Sequence, residues 1–345
     1  MCQVILTISL SLLKRNKYMK KILLLDTSIG TSNLGDFIIM ESVRKELSDI
    51  LENAFVYEMP THLPAFNGLS VWKNSSTVQN YENADLKFAG GSNLLVKNLR
   101  THYPQWNIHA WDSKPLRGVI TVGVGAGAGD YTNRYTTRLY QKVLNHDFYH
   151  SVRDERSKEY VESLGLKAIN TGCVTMWMLT PEFCRDIPKK KANRCVFTIT
   201  GMGSGGSIGE EEQRMLEILQ RTYQEVFFWV QGDRDLVYLN RMKNIRKVKV
   251  VPPSVEAYKA LLHQDDLDYV GTRLHGGIYA MRHKKRAIII AIDERAREIN
   301  KANNLNCLEL CEVSEKLEKM IHSDFATDVR MPFDRITQWK NQFMD

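Results

Sequence analysis

Short apolar runs alternate with amphipathic segments along most of the chain. The runs at residues 22–25 and 287–292 have no polar interruption, which is typical of strands buried on both faces of a parallel sheet. The segment after the first run places Phe37, Ile38 and Val43 at helical spacing. Further strands are predicted at 54–59, 84–89, 119–124, 195–200, 225–230 and 248–251. Strands that alternate with helices in this way predict an α/β fold with parallel sheets.

One polar segment divides this alternation into two halves. Residues 184–194 combine Pro188 with three consecutive lysines, and the change of composition predicts a linker between domains. We expect one Rossmann-like domain at 19–183 and a second at 195–312. Residues 313–345 are predicted to form C-terminal helices that cross back to the first domain. Two Rossmann-like domains that face each other across a cleft form the architecture called GT-B.

The first eighteen residues differ in character from the rest of the chain. Residues 4–13 are largely apolar, and the positive charges of Lys14 and Arg15 come after that run. A secretory signal has the opposite order, and the run is too short to span a bilayer. We interpret residues 1–18 as an extension, non-native or disordered, before a more natural start at Met19. A weak membrane-surface anchor is the competing interpretation.

The composition is that of two ordinary globular domains, and it restricts the chemical classes of partner. The 345 residues are 43% hydrophobic and 25% charged, with a net charge of +7. This modest excess suits an anionic substrate or an anionic membrane surface, and it does not indicate nucleic acid. The six cysteines form no Cys-x-x-Cys pair and no zinc-type spacing with histidine. We therefore expect a reduced cytoplasmic protein, with peripheral association at the inner face of the membrane as an option.

The most informative stretch for chemistry is residues 268–282. A short apolar run ends there, a turn follows, and apolar residues then recur at helical spacing, so Arg273 and His275 lie at a strand-to-helix junction. Such a junction directs backbone N–H groups and the positive end of a helix dipole at an anion. Arginine adds a fixed charge, and histidine adds a group that moves a proton near neutral pH. Alternatively, Arg273 pairs with a nearby acid and His275 only helps the helix to pack.

Other candidate residues follow predicted strands, at the edge where open α/β sheets bind ligands. Asp36 begins the first helix, where an acid also serves as a cap. Arg153 ends a short strand, with a surface ion pair to Asp154 or Glu155 as the alternative. The remaining candidates for the cleft or the acceptor are Asn33, Gly90, Gly91, Ser92, His102 and Asp233. For Asp233 a helix cap is the alternative, and core packing is the commoner role of the His- and Trp-rich segment around His102.

Three motifs resemble those of the polysaccharide pyruvyl transferase family. They are Asn-x-Gly-Asp at 33–36, Ser-Val-Arg-Asp-x-x-Ser at 151–157 and Gly-Thr-Arg-Leu-His-Gly at 271–276, in the family's order. A glycine-rich turn at 90–92 also corresponds, although Ala89 stands where the family usually has another glycine. The resemblance covers residues 19 to about 310.

The resemblance implies a transferase that moves the enolpyruvyl unit of phosphoenolpyruvate onto a sugar, leaving a pyruvate ketal and releasing phosphate. It places the donor on Arg153, Arg273, Leu274 and His275, with His275 as a phosphate contact or general acid. Asp36 or Asp233 is the expected base. No cofactor or metal is expected. The expected acceptor is a surface-polysaccharide precursor that is lipid-linked or nucleotide-activated.

Two other functions remain open at this point. A GT-B glycosyltransferase would use the same basic residues to hold the diphosphate of a nucleotide sugar. A non-catalytic binding protein of an envelope-assembly complex would bind the acceptor but not phosphoenolpyruvate.

Overall fold

The computed structural model describes residues 19–101, 105–126, 129, 131–201 and 208–344. The predicted extension at 1–18 and the candidate His102 lie outside these residues. Within the described chain the expected alternation of strand and helix is present, and every strand pair is parallel. The prediction of an α/β fold with parallel sheets is therefore confirmed.

The first half of the chain forms a sheet with the strand order β2-β1-β3-β4. A parallel bridge between Val124 and Val152 brings a further strand pair, β5 and β6, to the β4 edge. The strands are β1 (Lys20–Asp26), β2 (Ala54–Pro60), β3 (Leu86–Gly90), β4 (Val119–Val122), β5 (His150–Val152) and β6 (Ala168–Asn170). The helices are α1 (Leu34–Glu46), α2 (Ser48–Leu51), α3 (Gly68–Trp72), α4 (Ser76–Glu82), α5 (Arg134–Val143), α6 (Glu155–Ser163) and α7 (Pro181–Arg185).

The second half forms a sheet with the strand order β12-β11-β10-β7-β8-β9. Renumbered within this half and read from β9, that is the 3-2-1-4-5-6 order of Rossmann domains. The strands are β7 (Arg194–Thr198), β8 (Glu225–Trp229), β9 (Val248–Val251), β10 (Leu267–Gly271), β11 (Ala287–Ala291) and β12 (Cys307–Glu309). The helices are α8 (Glu210–Thr222), α9 (Asp235–Leu239), α10 (Val255–Leu262), α11 (Leu274–Arg282), α12 (Glu294–Asn303), α13 (Val313–His322) and α14 (Phe333–Asn341).

Strand β1 shows why its sequence is apolar without interruption. Leu23 and Leu25 face one hydrophobic cluster, while Ile22 and Leu24 face another on the opposite side of the sheet. Successive side chains of a strand point to opposite faces, so a strand covered on both sides needs apolar residues at every position. All eight strands predicted from such runs are confirmed, with ends that differ by a few residues. The three-residue strands β6 and β12 were not predicted, because they are too short to show a pattern.

The two halves are joined by a short backbone pairing that we call the interdomain bridge, residues 32–34 and 231–233. The N–H of Leu34 donates to the carbonyl of Gln231 at 2.8 Å, and the N–H of Asp233 donates to the carbonyl of Ser32 at 3.2 Å. The amide Nε2 of Gln231 also donates to Oδ1 of Asn33 at 3.1 Å. The start of α1 is thereby held against the chain that follows β8.

The last helix, α14, packs against the first half. Trp339 is fully buried, donates from Nε1 to the carbonyl of Tyr149 at 2.7 Å, and meets Trp177 edge-on at 5.8 Å. Lys340 pairs with Glu46 of α1 at 2.6 Å. The chain end therefore adds a contact between the first half and residues that follow the second sheet.

A buried ion pair supports the second half. Arg286 is 1% exposed and donates to Asp268 at 2.8 Å and to the carbonyls of Met320, Ile321 and Ser323. Burial raises the pKa of the Asp268 carboxyl, and the charge of Arg286 opposes that effect. A buried charge that loses its partner is strongly destabilising.

We expect Arg286→Met to lower the free energy of unfolding by about 3–5 kcal/mol, since it leaves the Asp268 carboxylate buried without its cation. Chemical denaturation measures the loss. It should be smaller at mildly acidic pH, because protonation removes the uncompensated charge of Asp268 in the folded variant. The control is Arg185→Met, which breaks an exposed pair with Glu182 and should cost under about 1 kcal/mol. Equal losses in the two variants would contradict this account.

His150 makes the stability of the folded state depend on pH, and its burial sets the direction of that dependence. It is fully buried, its Nδ1 accepts from the N–H of Thr121 at 3.2 Å, and its Nε2 lies 2.9 Å from the carbonyl of Asn145. Burial lowers the pKa of the imidazole to about 4 from an ordinary 6.5. A neutral ring satisfies both contacts, so the folded state disfavours the proton that the unfolded chain accepts.

Stability that depends on His150 is fully present above pH 6.5 and is lost as the pH falls towards 4. The lowered pKa corresponds to about 3 kcal/mol across that window. We expect His150→Asn, which keeps an acceptor for Thr121, to flatten the pH dependence of urea unfolding there. The matched control His322→Asn removes an exposed histidine on α13, far along the chain from His150. A slope unchanged by His150→Asn would refute the assignment.

Candidate functional site

Arg273 lies between β10 and α11, as the sequence predicted, and it is paired with an acid. Its guanidinium donates to Asp235, which is fully buried and also accepts from the N–H groups of Gly201 at 3.1 Å and Gly232 at 2.8 Å. The alternative of a paired arginine is therefore what the structure shows. Nε of Arg273 is buried and has no hydrogen-bond partner among the described residues. Asp235 orients the guanidinium and leaves donor capacity unused.

Tyr269 holds the backbone at this junction. Its hydroxyl donates to the carbonyl of Arg273 at 2.7 Å and also lies 2.6 Å from Oγ1 of Thr198. Burial raises the pKa of the Tyr269 hydroxyl, so it stays a neutral donor. The position of Arg273 is therefore fixed through both its carbonyl and its guanidinium.

His275 lies in the first turn of α11, where the second half contacts the first. We call this contact between the two halves the seam. Its side chain is nearly buried, with 8% exposure. Nε2 is 3.8 Å from Sγ of Cys173, and a Cβ added to Gly35 would lie 3.3 Å from Nδ1. Both neighbours belong to the first half, so the imidazole is enclosed by residues from both sides of the seam.

Glycines allow this close approach. A Cβ at Gly35 would also lie 3.0 Å from Nε2 of Gln231, and one at Gly276 would lie 2.9 Å from Oε1 of the same side chain. The next signature residue, Leu274, is 3% exposed and packs in the hydrophobic core. Only its backbone is therefore placed to contact a donor.

Asp36 is the centre of a second polar group, on the first half. It is 4% exposed and accepts from Oγ1 of Thr31 at 2.6 Å and from Oγ of Ser92 at 3.4 Å. Nε2 of His62 lies 3.8 Å from its carboxylate and has no hydrogen-bond partner within the described chain. Asn33, rather than Asp36, caps α1 by accepting from the N–H of Gly35. The carboxylate of Asp36 is thus not used as the helix cap.

The turn after β3 contributes packing and one polar group. A Cβ at Gly91, where φ is +56°, would lie 1.9 Å from Ile39, and one at Gly90 would lie 2.6 Å from Met40. These glycines let α1 approach the sheet. Ser92 follows with its hydroxyl donating to Gln105 at 2.7 Å and directed at Asp36. Of the predicted Gly-Gly-Ser turn, the serine is therefore the polar member near Asp36.

Arg153 follows β5 and lies flat over a glycine turn. A Cβ at Gly125 would be 2.4 Å from Cζ of Arg153. Its Nε donates to Asp154 at 3.1 Å, and Asp154 also caps α6 through the N–H of Ser157. The ion pair with Asp154 that was the alternative interpretation exists, but the arginine side chain is only 8% exposed, so the pair is not at the surface as that alternative supposed.

The structure thus brings some predicted residues together and leaves others apart. Asn33 joins the seam with His275 through Gly35 and Gln231. Arg153 forms its ion pair within the first half, whereas Arg273 forms its pair within the second. Asp233 is part of the interdomain bridge through its backbone N–H, and its side chain is exposed.

Sequence reasoning missed two residues of this site, His62 and Cys173. His62 comes two residues after the end of β2, and Cys173 comes three residues after the end of β6. The carboxyl ends of parallel strands form the binding edge of an open sheet. That rule was the available signal, but β6 itself was too short to predict.

Within the residues that the structure describes, no three His, Cys, Asp or Glu side chains lie close enough together to hold a metal ion. No helix in the described part is both long and apolar enough to cross a membrane. The site instead combines a fixed cation at Arg273, an imidazole at His275 and a buried carboxylate at Asp36. These groups suit binding of an anion and transfer of protons.

The fold is shared with solved structures of low sequence identity. A UDP-GlcNAc 2-epimerase from Methanocaldococcus jannaschii has a TM-score of 0.55 at 12% identity, covering 94% of this chain and 100% of that chain. The structure of MnaA from S. aureus with UDP has a TM-score of 0.53 at 10% identity, covering 94% and 96%. These neighbours confirm the predicted GT-B-like fold of two Rossmann-like domains facing across a cleft.

Family membership comes from the sequence. No curated protein sequence matches the chain. A model of the polysaccharide pyruvyl transferase family matches residues 33–294. This match begins at Asn33, includes Arg153, Arg273 and His275, and spans most of the chain. The chain belongs to the polysaccharide pyruvyl transferase family.

Proposed function

We propose that this protein transfers the enolpyruvyl group of phosphoenolpyruvate to a sugar of a surface-polysaccharide precursor, forming a pyruvate ketal and releasing phosphate. The observation that carries the proposal is the junction of β10 and α11. It presents Arg273, with Nε unused, and His275, enclosed at the seam, close together at the start of a helix. Phosphoenolpyruvate carries two anionic groups, which suit a fixed cation and a helix N-terminus.

The reaction needs protons to be moved at defined atoms. C3 of phosphoenolpyruvate gains a proton and C2 becomes oxocarbenium-like. One sugar oxygen then bonds to C2, the C2–O bond to phosphate breaks, and a second sugar oxygen closes the ketal. Of the two hydroxyl protons, one balances the proton gained by C3 and the other leaves with phosphate. The site must therefore supply an acid near the donor and a base near the acceptor.

We assign the acid to His275 and the base to Asp36. The enclosure of His275 at the seam limits access of water to an oxocarbenium-like carbon, which water would otherwise hydrolyse. Asp36 has a neighbouring imidazole, His62, which suits passage of the acceptor proton away from the carboxylate. Arg153, held by Asp154 on the first half, is the second cation proposed for the donor. No cofactor or metal takes part in these steps.

Two alternative functions would require different ligands. The structural neighbours named with UDP or UDP-GlcNAc favour a nucleotide-sugar enzyme as the second candidate, in which Arg273 would hold a diphosphate. A non-catalytic envelope-assembly protein would bind a sugar precursor and no phosphoenolpyruvate. Binding measurements with each ligand separate the three.

We expect phosphoenolpyruvate to raise the melting temperature of the protein more than phosphate or pyruvate does, because only the donor presents both anionic groups. Arg273→Gln and His275→Asn should each remove most of the increase. The matched control is Arg246→Gln, which removes an exposed arginine of the second half. Stabilisation by UDP-GlcNAc alone would favour the second candidate. Equal stabilisation of wild type and Arg273→Gln by phosphoenolpyruvate would overturn the donor assignment.

We expect Asp36→Asn to reduce phosphate release by about 100-fold or more, as loss of a general base does. Asparagine still accepts from Thr31, so stabilisation by phosphoenolpyruvate should persist. The assay measures phosphate with phosphoenolpyruvate and a panel of methyl glycosides and UDP-sugars as acceptors. Asp49→Asn, an exposed change on α2, is the control. Near-normal phosphate release from Asp36→Asn would exclude Asp36 as the base.

A further inference from the structure

The first half contains a cavity whose lining includes none of the residues assigned above to the donor. It has a volume of about 630 Å³ and lies between the chain at 98–101 and one face of α5. That size falls in the range of sites for small organic ligands, roughly 300–1,000 Å³.

The cavity is lined by four basic residues and no acidic one: Arg100, Arg134, Arg138 and Lys142. Each is exposed, and none forms an ion pair with a carboxylate among the residues that the structure describes. The three on α5 are spaced four residues apart, so they share one face of the helix. Like charges at this spacing destabilise a helix. An anionic ligand with more than one charge would neutralise this face.

Neutral polar and aromatic groups complete the lining. Tyr131 is 63% exposed, whereas the amide of Asn133 is already used, since it accepts from the N–H of Thr136 at 2.8 Å and donates to Asn98. Tyr135 accepts from the N–H of Ala110 at 3.2 Å, and the guanidinium of Arg100 lies 5.1 Å from the centre of its ring. An open aromatic ring such as that of Tyr131 suits a sugar, whereas the arginines suit phosphate oxygens. The combination fits a sugar joined to phosphate groups.

An apolar surface adjoins this cavity. Trp111 follows Ala110 of the lining, is 64% exposed, and lies against Gly68 at the start of α3. Leu69 and Trp72 of the same helix are 66% and 80% exposed. Exposed tryptophan next to basic residues is typical of surfaces that lie at the interface of an anionic membrane. An acceptor carried on a lipid would be presented at such a surface.

We propose that this cavity binds the diphosphate group of a lipid-linked sugar acceptor, with the surface of Leu69, Trp72 and Trp111 resting on the membrane. The role of the bound sugar as acceptor rests on the function proposed above. Binding of a diphosphate at the cavity does not depend on it. The basic side chains of α5 contact the diphosphate oxygens, and the sugar lies beside Tyr131.

The test is isothermal titration of the full chain with inorganic pyrophosphate. The double variant Arg134→Gln, Arg138→Gln should weaken binding by about tenfold or more, since it removes two charge-assisted contacts. The matched control Arg156→Gln, Arg246→Gln removes the same charge from exposed positions elsewhere. Because the cavity variant relieves repulsion on α5, its melting temperature without ligand should not fall. Pyrophosphate binding that is absent in wild type, or equal in the two double variants, would overturn the proposal.

Two further arms identify the source of the diphosphate. Wild type should sediment with phosphatidylcholine vesicles that contain polyprenyl diphosphate and less with plain phosphatidylcholine vesicles. Trp72→Ser should lose sedimentation while keeping pyrophosphate binding. Binding of UDP-GlcNAc with no preference for the loaded vesicles would overturn the lipid-linked form. Sedimentation with phosphatidylglycerol vesicles that is insensitive to pyrophosphate would indicate a general membrane contact and overturn the site.

Measuring the stabilisation by phosphoenolpyruvate alongside the binding of pyrophosphate distinguishes this proposal from the assignment of the donor site. The cavity double variant should keep its stabilisation by phosphoenolpyruvate, whereas Arg273→Gln should keep its binding of pyrophosphate. Pyrophosphate binding without any response to phosphoenolpyruvate would overturn the proposed transfer and leave the diphosphate site supported. Loss of the phosphoenolpyruvate response in the cavity variant alone would make the cavity the donor site and overturn the inference.

Discussion

The interdomain bridge is the contact on which the arrangement of the site depends. Two backbone hydrogen bonds and the Gln231–Asn33 amide contact hold residues 32–34 against 231–233. Because α1 starts at this bridge, Gly35 faces His275, which lies in the first turn of α11. Both helices begin at the carboxyl edges of their sheets, the edge at which open α/β sheets bind ligands. The bridge therefore brings the carboxyl edges of the two sheets against each other.

The two arginines proposed to bind the donor are each oriented by an ion pair before any ligand arrives. Arg273 is held by Asp235, and Arg153 is held by Asp154 over a glycine turn. Asp235 in turn accepts two backbone N–H groups, so its carboxylate is balanced by more than one donor. An arginine positioned in this way needs little reorganisation to bind an anion, which is the advantage of a preorganised site. The ion pairs are thus compatible with the binding role proposed for the two arginines.

The chain between Ser92 and Thr101 connects the polar group around Asp36 with the basic cavity. Its beginning contacts Asp36 through the hydroxyl of Ser92, and its end lines the basic cavity through Arg100 and Thr101. One segment that follows β3 thus reaches both Asp36 and the cavity. In the proposed reaction, this continuity puts the acceptor chemistry on the first half and leaves the donor chemistry to the β10–α11 junction of the second.

The sequence alone determined the fold class, eight of the strands and the strand-to-helix position of Arg273 and His275, because periodicity and turn residues act locally. Its motifs also identified the family. Tertiary structure decided which groups meet: Asp235 with Arg273, His62 with Asp36, and Cys173 with His275. Each of these pairs joins residues far apart in the chain, and the strand order and the bridge set their distances. Local patterns carry no information on that order, so these partners become apparent only when the sheets are assembled.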